Sequence, residues 1–178
     1  MSKDRELYEK AKEEMELSER ILAALPGFRG YKEKEIRRET DKLIRNHLYQ
    51  RLMKAREDAK DVFQLLSDRR LYEVLTEMDR FIARFDRVAA KINHASYGYA
   101  GFFNVLKVQE EKLDRMIAFD TELMDEVEKI ASEAATFKGE TKKGEFGKVR
   151  EHIQTLSDSL ESLEDTFDER GEIILGVK

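Results

Sequence analysis

Apolar side chains recur at alternating intervals of four and three residues in three stretches of this chain, and no other feature constrains the fold as strongly. The stretches are residues 48–66, 71–92 and 149–167. This spacing places the apolar side chains along one face of an α-helix, as in a coiled coil. No stretch of useful length shows the strict alternation of a half-buried β-strand. The pattern therefore predicts an all-α fold.

Helix-breaking residues are scarce, with one proline and nine glycines among 178 residues. They cluster in Pro26–Gly30, in a glycine- and aromatic-rich segment at 96–103 and in a lysine-bearing segment at 137–144, where helices are expected to end. We predict a single domain over residues 1–178, an antiparallel up-and-down bundle of about five helices with coiled-coil-like packing. The predicted helices cover residues 3–25, 31–66, 68–93, 106–136 and 146–169, followed by a short apolar tail at 171–178.

The boundary between the second and third helices contains neither proline nor glycine. Continuing the apolar spacing beyond Leu66 would bury Arg70 and Glu73, whereas the pattern restarts at Leu71. Ser67 and Asp68 are suitable N-cap residues at this point. The spacing favours a tight turn here, and the alternative is one uninterrupted helix of more than about sixty residues, from 31 to 93.

Alternating helix directions place successive loops at opposite ends of the bundle. Pro26–Gly30, the segment 96–103 and the C-terminal tail are therefore expected at one end. The turn at Ser67 and the lysine-bearing segment are expected at the other end. The second helix begins at the first of these ends, where it brings basic side chains close to the aromatic segment.

Motifs for catalysis and metal binding are missing from the sequence. Without cysteine, the chain has no disulfide, thiolate metal site or catalytic thiol. The Glu-x-x-His pairs of di-iron bundles are absent, as are a nucleophile elbow, a P-loop and a dinucleotide fingerprint. We predict that the protein is not an enzyme and has no catalytic residues, metal or cofactor.

One acidic residue, Asp120, lies on the apolar face of the fourth helix between Ile117 and Leu123. A buried carboxylate must be paired or protonated, because an unpaired buried charge is costly. We favour a salt bridge or capping bond from Asp120 over general acid–base catalysis.

Charge is unevenly distributed along the chain, although the net charge is only −5. Residues 29–56 contain ten Lys/Arg and four Asp/Glu, whereas residues 109–172 contain nine and nineteen. The basic part and the aromatic segment form a candidate anion or partner surface at one end of the bundle: Arg29, Lys32, Arg37, Arg38, Tyr97, Tyr99 and Phe102. The alternatives are a solvated helix face of mixed charge and an aromatic plug over the core.

Two segments carry a family resemblance: LPGFRGYKEKEIRRETDK from Leu25 and YGYAGFFNVLKV from Tyr97. They resemble an uncharacterised family of prokaryotic all-helical proteins with LPGxxGYxxKExRR and YGYxGFF segments. The resemblance implies a prokaryotic cytoplasmic protein and transfers no activity or functional residue.

The leading functional prediction is a non-enzymatic interaction or scaffold protein that binds a protein partner or self-associates. The alternative is an anion-binding protein whose basic and aromatic surface takes a nucleotide, a nucleic-acid backbone or an acidic peptide. The acidic net charge disfavours bulk nucleic-acid binding without excluding a local site. The absence of an apolar leader and of a run of about 18 apolar residues predicts a cytoplasmic protein without a transmembrane segment.

Overall fold

A computed structural model describes Lys12, Glu16 and residues 19–27, 34–95 and 110–175, and it describes the side chains of these residues outside 34–38, 110–113 and 175. This part of the chain forms five helices and no strand. The all-α bundle predicted from the apolar spacing is confirmed. The helices are α1, of which Lys12, Glu16 and residues 19–24 are described, α2 (Lys34–Asp68), α3 (Tyr72–His94), α4 (Glu110–Lys143) and α5 (Val149–Leu175).

The apolar faces predicted on the second and fifth helices form part of the core. On α3 the inward face is shifted from the predicted one, because Leu75 and Ile82 are only partly buried while Val74 and Phe81 are buried. On α2 the six residues of the pattern are at most 1% exposed, and on α5 all six are buried. Each fully buried leucine on these faces stabilises the fold by about 1.5–3 kcal/mol. The residues are Leu48, Leu52, Ala55, Ala59, Val62 and Leu66 on α2, and Val149, Ile153, Leu156, Leu160, Leu163 and Phe167 on α5.

Ion pairs on the surface show that α3 and α5 run in the same direction. In three of these pairs the partners are separated by 77 residues, which requires parallel neighbours. The pairs are Arg84–Glu161, Arg87–Glu164 and Lys91–Asp168. In the same way, α2 and α4 are parallel, because Arg51 pairs with Glu128 and Asp61 pairs with Lys138.

Helix direction nevertheless alternates along the chain, as the up-and-down prediction requires. Arg56 pairs with Asp86, and Arg45 donates to the carbonyl oxygen of Asn93, so α2 and α3 are antiparallel. α2 packs against α3 and α4, and α5 packs against the same two helices. Consequently α2 and α5 occupy one diagonal of the bundle, and α3 and α4 occupy the other.

The turn between α2 and α3 is confirmed, although its capping differs from the prediction. Ser67 and Asp68 end α2 instead of capping α3, whose N-cap is Leu71 without a side-chain cap. The amide of Arg70 donates to Ser67 O and the amide of Leu71 donates to Leu66 O. This is a Schellman motif, and Arg70 occupies its left-handed position with φ 61°.

The predicted segment 137–144 is mostly helix, since α4 ends at Lys143 and not at residue 136. Phe137 and Thr141 continue the buried face of α4 for two further turns, and this burial outweighs the glycine and lysines around them. The chain then turns at Gly144, which has φ 85° in a second Schellman motif. The connecting residues are 144–148.

Helix α5 likewise continues beyond its predicted end at residue 169. Gly171 lies inside the helix and is buried, so it does not stop α5. Ile173 and Ile174, which were expected in a short tail, are helical and about 1% exposed. Their burial against the core explains why the helix continues past the glycine.

The α2–α3 turn and the α4–α5 turn lie at the same end of the bundle, as the alternating helix directions predict. At the turn end, defined by residues 69–71 and 144–148, the Arg69 guanidinium lies 5.9 Å from the Phe146 ring centroid. At the opposite end, α2 and α4 begin while α3 and α5 finish. We call this the network end, after the buried charges described below.

Candidate functional site

The basic and aromatic surface predicted from the sequence is mostly outside the described residues. This applies to Arg29, Lys32, Tyr97, Tyr99 and Phe102. Arg37 and Arg38 lie on α2 shortly after its start at Lys34, and their side chains are not described. The proposed convergence of these seven residues therefore stays a prediction.

A buried network of charged side chains joins all four long helices at the network end. Arg170 of α5 donates from Nε to Oδ1 of Asp120 on α4, at 2.6 Å. It donates from NH1 to Oδ1 of Asp41 on α2, at 2.8 Å. Arg45 then donates from Nε to the second oxygen of Asp41, at 2.9 Å, and from NH1 to Asn93 O of α3.

The four described charges of the network sum to zero and are almost completely removed from solvent. Arg170 and Asp120 are 0% exposed, and Asp41 is 1% exposed. Two guanidinium groups balance two carboxylates, which is the arrangement that permits buried charge. These ion pairs tie α2, α4 and α5 together.

The salt bridge predicted for Asp120 is confirmed, whereas its partners were not recognised in the sequence. Arg170 follows Phe167 by three residues and so continues the apolar face of α5. Asp41 precedes Ile44 by three residues on the face of α2. Each charge stands at a core position one turn beyond an apolar residue, and that signal identifies both.

A cleft of about 420 Å³ lies between α1, α2 and α4. Its apolar lining includes Ile21 and Ala24 of α1 and Met124 of α4. Arg20 of α1 donates two hydrogen bonds to Asp125 of α4, at 2.7 and 2.8 Å. The remaining lining residues are His47, Arg51, Thr121 and Glu128.

Electrostatics inside the cleft combine a neutral imidazole with two guanidinium–carboxylate pairs. Burial lowers the pKa of His47 from its ordinary 6.5, more than the nearby Glu128 raises it. Hydrogen bonding to Glu128 raises the pKa of Arg51, and the same bond lowers the pKa of Glu128. The cleft can therefore bind a group by contact and charge.

The sequence did not predict this cleft. His47 is a partly buried residue of α2. The paired charges come from helices far apart in sequence, with 105 residues between Arg20 and Asp125. Only the tertiary arrangement brings them together.

Comparison with known proteins finds no matching family model, no matching curated protein and no matching solved structure. The resemblance of two segments to a prokaryotic family therefore stays a prediction. Within residues 34–95 and 110–175 and the described part of α1, no helix is long and apolar enough to cross a membrane. Over the same residues, no group of three acidic or histidine side chains is arranged to hold a metal ion.

Proposed function

We propose that this protein is a non-enzymatic interaction module and that the cleft between α1, α2 and α4 is its recognition site. The observation that carries the proposal is the cleft itself. It is about 420 Å³ in volume, has an apolar lining and is flanked by two ion pairs. Sites that bind ligands generally combine apolar walls with a few polar groups.

The four long helices supply a scaffold that needs no partner to cover its apolar faces. Both apolar patterns, on α2 and on α5, are buried within the chain. The large apolar side chains exposed in the described part of the chain are Leu22 and Tyr72, which belong to different helices. Self-association would therefore use a surface other than these patterns, and analytical ultracentrifugation measures it directly.

The lining favours an occupant with an apolar body and one acidic group. The side chains of the Arg20–Asp125 pair are 56% and 60% exposed, so the pair contributes little to stability. An incoming carboxylate or sulfonate can accept hydrogen bonds from the Arg20 guanidinium in place of Asp125. Lys54 also acts on Glu128 and adds a positive charge nearby.

The test uses anilinonaphthalene sulfonate, a fluorescent probe with an apolar body and one sulfonate. Arg51→Gln removes a cleft guanidinium, and Arg84→Gln is the matched control. Both arginine side chains are 31% exposed and paired with a glutamate, but Arg84 belongs to α3 and pairs with Glu161 of α5, so it does not line the cleft. We expect Arg51→Gln to weaken binding about tenfold, the loss of one charged hydrogen bond.

The control variant should bind the probe as the wild type does, and circular dichroism should show that all three proteins unfold cooperatively. Equal affinity in the three proteins would place the probe outside the cleft and contradict the proposal. Probe binding that does not weaken with rising salt concentration would also contradict the proposal, because the guanidinium contribution is electrostatic.

The second proposed function is anion binding at the network end. The prediction that α2 begins after the Pro26–Gly30 turn supports it, because Arg37 and Arg38 then lie near the free N–H groups of a helix terminus. Binding of inorganic phosphate to wild type and Arg38→Gln, measured against salt concentration, separates this site from the cleft. For either function we propose a protein partner or small ligand and a cytoplasmic location.

A further inference from the structure

His152, near the start of α5, lies between two carboxylates of α4. Its Nδ1 is 2.7 Å from Oε1 of Glu133, and its Nε2 is 2.9 Å from Oε2 of Glu140. The ring stacks on Phe137 with centroids 4.7 Å apart and planes inclined by 16°. The side chain is 10% exposed. Thus α4 holds both edges and one face of the imidazole.

The two contacts identify the protonation state of the ring. An ionised carboxylate only accepts hydrogen bonds, and a neutral imidazole has a single N–H to donate. Hydrogen bonds to both carboxylates therefore require the doubly protonated imidazolium. Burial lowers the pKa of His152, but the hydrogen bonds to Glu140 and Glu133 outweigh it, so the pKa is raised above 6.5.

Among the charged groups near His152, these two carboxylates are the ones that raise the pKa of the ring. Lys148 and Lys143, at the turn end, act on Glu140, whose pKa is lowered first of all by its hydrogen bond to His152. Arg150 of α5 faces Glu77 of α3 and pairs with it at 3.1 Å. Among the described residues of α2 and its turn, Arg69 faces Phe146 and not the imidazole.

We propose that His152, Glu133 and Glu140 form a proton-controlled latch, which holds the start of α5 and the 144–148 turn against α4 while the imidazole is doubly protonated. Loss of one proton leaves a nitrogen lone pair facing a carboxylate, and that contact becomes repulsive. Because the pKa is raised in the folded protein, the stabilisation is complete below pH 6.5. It is lost as the pH rises through the folded-state pKa.

Ring titration tests the protonation directly. Long-range ¹H–¹⁵N correlation spectra report each imidazole nitrogen, and His47 serves as the comparison within the chain because its pKa is lowered. At pH 6.5, the ordinary value, His152 should be more than half doubly protonated and His47 less than half. Glu140→Gln should lower the midpoint of His152, whereas Glu145→Gln, an exposed change in the same turn, should leave it unchanged.

Hydrogen exchange tests the release. After correction for intrinsic rates, amide protection of residues 145–153 in the wild type should fall above pH 6.5, by up to about tenfold per pH unit. Protection in His152→Gln should be low and independent of pH. A His152 midpoint at or below 6.5, an unchanged midpoint in Glu140→Gln, or pH-independent protection in the wild type would overturn the latch. If His152→Gln does not fold, the midpoints of His152 in the wild type and in Glu140→Gln still test the latch.

Discussion

Replacing Arg170 with methionine removes the guanidinium that two buried carboxylates share. Methionine is long enough to occupy much of the same space without charge, so the variant tests electrostatics more than packing. Asp41 keeps its bond to Arg45, at 2.9 Å, whereas Asp120 loses the donor that lies 2.6 Å away. The described members of the network then carry one excess negative charge in the core.

The expected loss is about 3–5 kcal/mol in the free energy of unfolding, the usual effect of breaking a buried ion pair from one side. Native domains are stable by about 5–15 kcal/mol, so this is a large fraction of the total. Urea unfolding followed by circular dichroism at neutral pH measures it by linear extrapolation.

Two further variants serve as controls for this measurement. Arg84→Met removes the exposed pair with Glu161 and should change the free energy of unfolding by less than about 1 kcal/mol. Asp120→Asn combined with Arg170→Met leaves the neutral Asp41–Arg45 pair and should recover most of the lost stability. An Arg170→Met variant as stable as Arg84→Met, or a double variant no better than Arg170→Met, would refute the electrostatic reasoning.

Other predictions follow from single positions. Arg70→Gly relieves a left-handed backbone and should stabilise the fold by up to about 1 kcal/mol. Gly144→Ala should destabilise the fold by about 1 kcal/mol through its positive φ alone, since an added Cβ would meet no atom within 4 Å. Urea unfolding in which Gly144→Ala is the more stable of the two variants would contradict both expectations. Arg87→Gln removes a 57% exposed guanidinium from Glu164, which Lys91 still holds, and should lower the free energy of unfolding by less than about 1 kcal/mol, a difference that high salt removes. His47 has a lowered pKa, so the unfolded chain binds its proton first, and stability should fall as the pH drops below 6.5; unfolding at pH 5 and 7 should show a smaller fall in His47→Gln.

Apolar spacing predicted the core residues of α2 and α5, whereas on α3 it placed Leu75 and Ile82 in the core and the structure buries Val74, Phe81 and Val88 more deeply. It was less informative about where the helices end. Residues 137–143 contain a glycine and three lysines, yet the inward positions Phe137 and Thr141 keep them helical. The exposed lysines are compatible with a helix surface, and Lys138 is held by Asp58 and Asp61 of α2. Composition misleads wherever burial of one face decides the structure.

The network was only partly predictable for a related physical reason. Asp120 interrupts an otherwise apolar face, so a paired partner could be inferred from the sequence. Its partner Arg170 is 50 residues away, and it immediately precedes a glycine that is typical of a helix end. The cleft has no such signal, because Arg20 and Asp125 are ordinary surface residues until α1 packs beside α4.

The lateral order of the helices is the feature that the apolar spacing leaves most open, and the network supplies a physical basis for it. An apolar face specifies which side of a helix points inward, but it accepts many apolar neighbours. Charges are more selective, since Arg170 must reach Asp41 on α2 and Asp120 on α4 together. In the observed order α5 lies beside α4 and diagonally opposite α2, and Arg170 reaches both carboxylates across the core. A packing that moves Arg170 away from either carboxylate removes a buried ion pair, at a cost of about 3 kcal/mol or more, so the network stabilises the observed position of α5.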